Sequence, residues 1–267
     1  MKIPYISISL LVMIVVMSFF GNSIYHVSPY ELDKSAILLP PSYEHLMGTD
    51  RLGRDVLARM FEGGKVSLSI GVGSAVIASF VGLMVGVSAG FFRGKSDKII
   101  IILIDLFLTF PTFFLLLALI SYMSASIWVL VFIISITGWM GMARLIRSES
   151  FAIGNKPFIK VLQLGGVSKI KIILKYFTPL LAPIFFISFT FGVGGAILAE
   201  SGLSFLGIGI MPPQISWGSV LSEGKSVVDI AWWLSFFPGL MIFLVIFCLV
   251  NISDYLQRYT NQKDKVI

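Results

Sequence analysis

Charge is what this chain has least of. Only 13% of its 267 residues are Asp, Glu, Lys or Arg, while 57% are hydrophobic. Soluble domains carry about 25% charged and about 45–50% apolar residues. The deficit runs through the whole chain and excludes an ordinary soluble domain. Cysteine is nearly absent as well. Cys248 stands alone in an apolar run, has no partner for an internal disulfide and reads as a small packing residue. The two histidines, His26 and His45, share one polar segment, and no His-x-x-x-His, Cys-x-x-Cys or HExxH spacing occurs. No metal site of zinc type is expected from such a set. A GxSxG elbow is missing, and so is any polar constellation that would serve a membrane-bound enzyme. Two stretches approach a phosphate-binding loop and fail. "EGGKVS" has Val66 where Ser or Thr must stand, and "WGSVLSEGKS" puts five residues between Gly218 and Gly224 where four are needed. The chain is therefore expected to be no enzyme and to hold no cofactor of its own.

What is present is apolar sequence in long runs. A membrane-spanning helix needs roughly 20 mostly apolar residues. Six candidates occur, near Ile3–Phe20, Val66–Phe92, Ile99–Tyr122, Ile127–Ala143, Pro179–Ala199 and Ala231–Val250. The fold class expected is an all-α integral membrane protein with six transmembrane helices. The first run follows Lys2, but it exceeds a signal-peptide core of about 7–15 residues. "SFFGNS" is a poor cleavage site, so an uncleaved anchor is expected. With the N-terminus in the cytoplasm, fourteen of the twenty basic residues fall on the inner side. They are Lys2, Arg93, Lys95, Lys98, Arg144, Arg147, the five lysines from Lys156 to Lys175, Arg258, Lys263 and Lys265. Cytoplasmic loops carry the Lys/Arg excess. Both termini are thus expected inside, and the net charge of +6 points to the lipid bilayer rather than to nucleic acid. The organisation expected is a first helix with an external segment over 1–65, a five-helix membrane domain over 66–258 with a cytoplasmic loop near 150–178, and a cytoplasmic tail over 259–267.

Several features invite a role. Gly82, Gly86 and Gly90 are spaced four apart, which lets a helix backbone approach a neighbour closely, most simply inside one bundle. Asp105 lies two helical turns beyond Lys98, so it is either an interfacial structural carboxylate or part of a transport pathway. "GTDRLGRDVLARM" offers i,i+4 pairs Asp50–Arg54, Arg51–Asp55 and Asp55–Arg59, with Leu52, Val56 and Met60 along one face. It reads as a surface helix, either a cap on the bundle or an outer gate and docking element. "LGIGIMPPQISWG" mixes Gly, Pro212, Pro213 and Trp217 and reads as an irregular outer segment. Such backbone is tolerated at membrane depth only where protein or a water-filled cavity covers it. "NKPFIKVLQLGGVSKIKIILKYFTP" holds five lysines and no acidic residue. Phe158, Val161, Leu162 and Leu164 interleave with Lys160 and Gln163 in a short amphipathic helix. Gly165-Gly166 can end it with a positive φ, and Ser168 can cap the next helix. Pro179 starts or kinks the fifth span. The segment serves either as a lipid-headgroup contact or as a rigid lever.

Taken in order, "HLMGTDRLGRDVLARMFEGGKVSLSIG", the basic stretch and "GLSFLGIGIMPPQISWGSVLSEGK" resemble the membrane permease subunit of bacterial ABC importers. Within these, the chain is similar to the "C" type subunit of the dipeptide, oligopeptide and nickel group from about His45 to Tyr255. The GTDxxGRD and LSFLGxGxxPPxxxWG strings carry the likeness. The resemblance implies a type I transmembrane domain in the bacterial inner membrane. It implies pairing with a second, homologous permease subunit, two ATP-binding subunits below that hold ATP and Mg, and an extracytoplasmic solute-binding protein above. It also implies that the basic stretch is the coupling segment to the ATPase, formed here by Phe158, Lys160, Val161, Leu162, Leu164, Gly166, Val167 and Ser168. The family's Glu-Ala-Ala falls on Lys160-Val161-Leu162, so a lysine stands where a glutamate is usual. That departure puts the charge contact in question rather than the helix. Asp50, Arg51, Arg54, Asp55, Pro212, Pro213 and Trp217 are the candidates for an outer gate or for docking of the binding protein, and Asp105 for the pathway.

Two cues lean toward nickel or a metal–metallophore complex as substrate: the short lead before the first span and the wording "NKPFIKVLQL". Di- or oligopeptides are the alternative. A secondary transporter driven by an ion gradient is the rival of another class. It would place charged residues through the spans and often an inverted repeat, and only Asp105 is seen.

Overall fold

The computed structural model describes residues 3–263, and among these every regular element is helical. In chain order they are α1 (Tyr5–Ile24), α2 (Val56–Phe92), α3 (Gly94–Thr109), α4 (Thr112–Ile120), α5 (Ile127–Gly154), α6 (Pro157–Leu164), α7 (Lys169–Ile172), a π turn (Ile173–Phe177), α8 (Thr178–Phe205), α9 (Trp217–Gly224) and α10 (Trp233–Lys263). Lys2, Lys265 and the end of the tail at 264–267 lie outside the described residues.

Five helices are long and apolar enough to cross a membrane: α1, α2, α5, the continuous run Lys169–Phe205, and α10. The expected third span is not one straight helix. It breaks between α3 and α4 with a bend of 81°. Pro111 explains the break: it has no N–H to donate, and its ring holds Phe110 in extended backbone (ψ 133°). Counting the bent pair as one span restores six.

The helices overrun the sequence limits. α2 begins ahead of Val66 and passes straight through Gly63 and Gly64, so the boundary expected at 65/66 falls inside a helix. The glycines persist there because the space is taken. A Cβ on Gly64 would lie 2.2 Å from Ser18 Oγ and 3.0 Å from Trp217 Cζ2. α10 likewise runs through the boundary at 258/259.

α2 and α5 form the central pair. The Gly82, Gly86 and Gly90 stripe faces α5, as a packing stripe inside one bundle should. A Cβ on Gly86 would meet Ala143 O at 2.7 Å and Ile146 Cβ at 2.8 Å, and one on Gly90 would meet Ser150 Cβ at 2.5 Å. α8 packs against both, and α1 and α10 close the side opposite α5. One core joins Ile14, Met60, Trp217, Trp233 and Leu234 at the α9 end of the bundle. Another joins Ile146, Ile153, Ile159, Ile172 and Phe177 at the α6 end. Residues 25–55 fold back as a cap on the α9 end. There Trp233 Nε1 donates to Thr49 O at 3.0 Å, and the Thr49 hydroxyl donates to Ala36 O.

Candidate functional site

At one end of the bundle, α6 stands apart as a short helix between α5 and α7. Pro157 occupies its first turn, where a missing N–H costs nothing. Gly166 closes it with φ +74°. Gly166 N–H donates to Gln163 O at 3.2 Å and Val167 N–H to Leu162 O at 3.1 Å, the paired bonds of a Schellman end. Ser168 then caps α7, its hydroxyl accepting Lys171 N–H at 3.4 Å. The expected glycine turn and serine cap are both formed.

The helix is apolar on two stripes, and the sequence reading separated them imperfectly. Ile159 is the anchor: it is fully buried, with Leu162 half-buried beside it. Phe158, Val161 and Leu164 follow at i, i+3 and i+6 and are 42%, 67% and 89% exposed. Lys160 is also exposed. A second apolar stripe thus faces outward with a lysine beside it, and it takes no part in packing α6 onto the bundle.

Behind α6 the chain passes through α7 and the π turn into α8 without a break. The π turn absorbs Pro179. Thr178 N–H and its hydroxyl both reach Ile173 O, the hydroxyl at 3.1 Å, as i→i+5 geometry allows. α6 is thus joined by a short turn to a helical rod that crosses the bundle.

At the other end, the surface helix expected over residues 48–60 is helical only from Val56, and its first half is a turn. The Asp50 carboxylate accepts Leu52 N–H at 2.8 Å and Arg54 N–H at 3.0 Å, and Gly53 adopts φ +74°. Helix α2 begins only after Asp55, whose side chain caps it by accepting Ala58 N–H at 2.9 Å. Of the three expected pairs only Asp50–Arg54 forms, at 2.6 Å. Arg51 turns instead to Ser226, and Asp55 binds His45 and Tyr25 at 3.0 Å each. Burial, then the Asp55 charge, pushes the Tyr25 phenol up to about 12, so it stays a donor.

The turn is an interior feature. Asp50 is 0% and Arg59 1% exposed. Arg59 donates to Asp50 and grips Glu223 of α9 with two bonds, at 2.5 and 2.7 Å. Arg54 adds a bond to Glu223 at 3.1 Å. Two arginines and two carboxylates so tie the cap, α2 and α9 into one block. Trp217 is buried too, with its Nε1 donating to Met60 O at 3.0 Å. Of the outer candidates, Arg51, Pro212 and Pro213 are exposed, Arg54 is partly so, and Asp50, Asp55 and Trp217 lie inside. Glu223 escaped the sequence reading because no local spacing links it to Arg59.

Between the two ends lies a cavity of about 630 Å³ among α2, α4, α5 and α8. Ser74, Ser79, Thr137, Ser188, Gly192 and Gly195 contribute to its wall. Asp105 is not on that wall. It pairs with Arg144 on α5, both more than half exposed, one turn along α5 and two along α3 from the Asp97–Arg147 pair at 2.5 and 2.7 Å.

Comparison with known proteins places this architecture. Residues 82–263 match the family model described as binding-protein-dependent transport system inner membrane component. The oligopeptide transport system permease protein OppC of Haemophilus influenzae is 34% identical over 221 residues, covering 83% of this chain and 71% of that protein. The dipeptide transport system permease protein DppC of Bacillus subtilis is 32% identical over 266 residues, covering 98% and 82%. Among solved structures, a chain of the MetNI methionine ABC transporter in an inward-facing form superposes with a TM-score of 0.58 at 15% identity, over 73% of this chain and 94% of that one. That likeness speaks for the fold alone. The chain belongs to the binding-protein-dependent transport system inner membrane components, as a multi-pass permease subunit of an ABC importer in the dipeptide and oligopeptide group, with ATP hydrolysed by partner subunits.

Proposed function

We propose that the chain forms half of the pathway through which an ATP-driven importer takes up dipeptides or oligopeptides. The observation that carries this reading is the similarity to an oligopeptide and a dipeptide permease along most of the chain. The lean toward nickel, drawn from a short lead and the wording of α6, finds no support in these relatives and gives way to the peptide alternative. The cavity wall is consistent with a peptide route: it is largely apolar, with a few hydroxyls and glycines that offer hydrogen bonds and room, and no fixed charge.

In this reading the α6 end is cytoplasmic, as the lysine excess supports. The stripe of Phe158, Val161 and Leu164 docks on an ATP-binding subunit, with Lys160 at its edge. Gly166, Val167 and Ser168 form the turn that passes motion into the α7–α8 rod, and Leu162 keys α6 to the bundle beside Ile159. A second permease subunit and a second ATP-binding subunit complete the complex. On the opposite side Arg51, Pro212 and Pro213 offer the exposed contact for a solute-binding protein, while Asp50, Arg54, Asp55 and Trp217 hold that surface in shape. Asp105 braces α3 on α5.

The test is uptake by cells that carry or lack the gene. Loss of labelled peptide uptake with nickel uptake unchanged supports the reading. Loss of nickel uptake with peptide uptake intact overturns it.

A further inference from the structure

The segment between α8 and α9 has no regular structure, yet one buried carboxylate holds both of its feet. Glu200 of α8 is 0% exposed. Its Oε1 accepts the Ser204 hydroxyl at 2.7 Å, and its Oε2 accepts the hydroxyls of Ser67 at 2.9 Å and Ser201 at 3.4 Å. A serine hydroxyl has a single hydrogen and two lone pairs. With that hydrogen directed at Glu200, Ser67 and Ser204 are left with lone pairs to offer. Ser67 accepts Trp217 N–H at 3.1 Å, and Ser204 accepts Ile210 N–H at 3.0 Å. Ser216 adds its hydroxyl to Ser204 at 3.5 Å. The carboxylate therefore sets the polarity of two hydroxyls, and those hydroxyls fix the backbone on either side of Met211, Pro212, Pro213 and Gln214. These four residues are exposed, whereas Ile210, Ile215, Ser216 and Trp217 are buried. They form a lip with its feet in the bundle.

The tether joins two helices. Ser67 lies on α2, while Glu200 and Ser204 lie on α8. Close approach makes this geometry possible: a Cβ on Gly71 of α2 would lie 2.5 Å from Ile197 Cγ1 of α8. Sliding of α8 along α2 would separate Ser67 from Glu200 and release the Trp217 foot while the Ile210 foot travels with α8. The shape of the lip thus depends on the relation of α2 to α8.

We infer that Glu200 is a positioning residue that locks the Met211–Gln214 lip to α2 and α8, and that through the lip it makes binding-protein engagement sensitive to movement of α8. The second half of this statement rests on the peptide-importer reading; the tether does not. Glu200→Gln keeps the volume, but its amide nitrogen donates and cannot accept. At least one serine then loses the acceptor for its hydrogen and turns away from its backbone partner.

Amide hydrogen exchange on the purified chain and on the complex with its ATPase reads this directly. Glu200→Gln is expected to speed exchange over residues 207–217 by about tenfold, the scale of one lost hydrogen bond, and to leave the α2–α5 core unchanged. Ser67→Ala should free the Trp217 amide alone and Ser204→Ala the Ile210 amide alone. In the complex, Glu200→Gln should weaken the apparent affinity for the binding protein by a similar factor. Wild-type exchange at both feet in Glu200→Gln overturns the tether, as does a uniform rise across the whole protein. If Glu200→Gln does not fold, the two serine variants decide between the same outcomes. Altered exchange with unaltered binding-protein affinity overturns the second half. Failure of the wild-type complex to transport peptide at all would sink the importer reading and leave the exchange pattern to judge the tether.

Discussion

Arg59 shows how much of this protein depends on single buried charges. It is enclosed, and its guanidinium serves Asp50 and Glu223 together. Arg59→Met removes the more deeply buried cation and leaves Asp50 and Glu223 with Arg54 alone. Breaking a buried pair from one side costs up to about 3–5 kcal/mol, and with Arg54 still in place the loss should fall below that while still lowering the unfolding temperature in a thermal melt of the purified protein. An unchanged melt would mean that water reaches the cluster. Trp217 is a milder case. Trp217→Phe keeps most of the packing but loses the bond to Met60 O, and a loss of about 1 kcal/mol is expected. Lys160 is different in kind, because it is exposed on α6. Lys160→Glu should leave the melt unchanged and lower recovery of the ATPase in pull-downs by about tenfold, as reversal of an interface charge does. Equal or better recovery would show that the lysine meets no acidic site.

α2 and α5 meet through glycine, and the stripe was readable because small residues at every fourth position have one physical use in a long apolar helix. Gly86→Leu should cut the yield of folded protein in the membrane, since its Cβ alone would overlap Ala143 O and Ile146. Gly166 is a backbone requirement of another type. Its φ of +74° suits glycine, nothing stands in the way of a side chain, and proline cannot reach that angle. Gly166→Pro should therefore leave the chain in the membrane while uptake is lost and ATPase activity continues. Retained uptake would argue against α6 as the lever. The turn and its serine cap were readable because glycine pairs and Ser-x-x patterns report local backbone. Other parts were not. Ile159 and Phe158 look alike in the sequence, and only the path of α5 and α7 around α6 decides which is buried. The pairs Arg51–Asp55 and Asp55–Arg59 assumed a helix that the Asp50 side chain prevents by holding the backbone N–H groups of Leu52 and Arg54. Pro111 marks where α3 and α4 part, but the size of the bend depends on packing that no short stretch encodes.

At the scale of the whole molecule, the two ends of the bundle are joined by continuous helix. α6 carries an exposed apolar stripe, the rod of α7, the π turn and α8 crosses the bundle, and its far end carries Glu200 beneath the lip. The span count and the class of protein were accessible from hydrophobic runs alone. Membership of the importer family followed from motifs spread over most of the chain, whereas the substrate lean rested on two local cues that say nothing of what the chain passes. The central claim is that this chain imports peptides with energy from an attached ATPase. The most direct test is uptake by proteoliposomes that hold the chain with its partner permease, its ATP-binding subunits and a peptide-loaded binding protein. The account predicts ATP-dependent accumulation of labelled peptide that vanadate abolishes. Accumulation that persists with vanadate and follows an ion gradient, or a chain that retains no ATPase on purification, would contradict it.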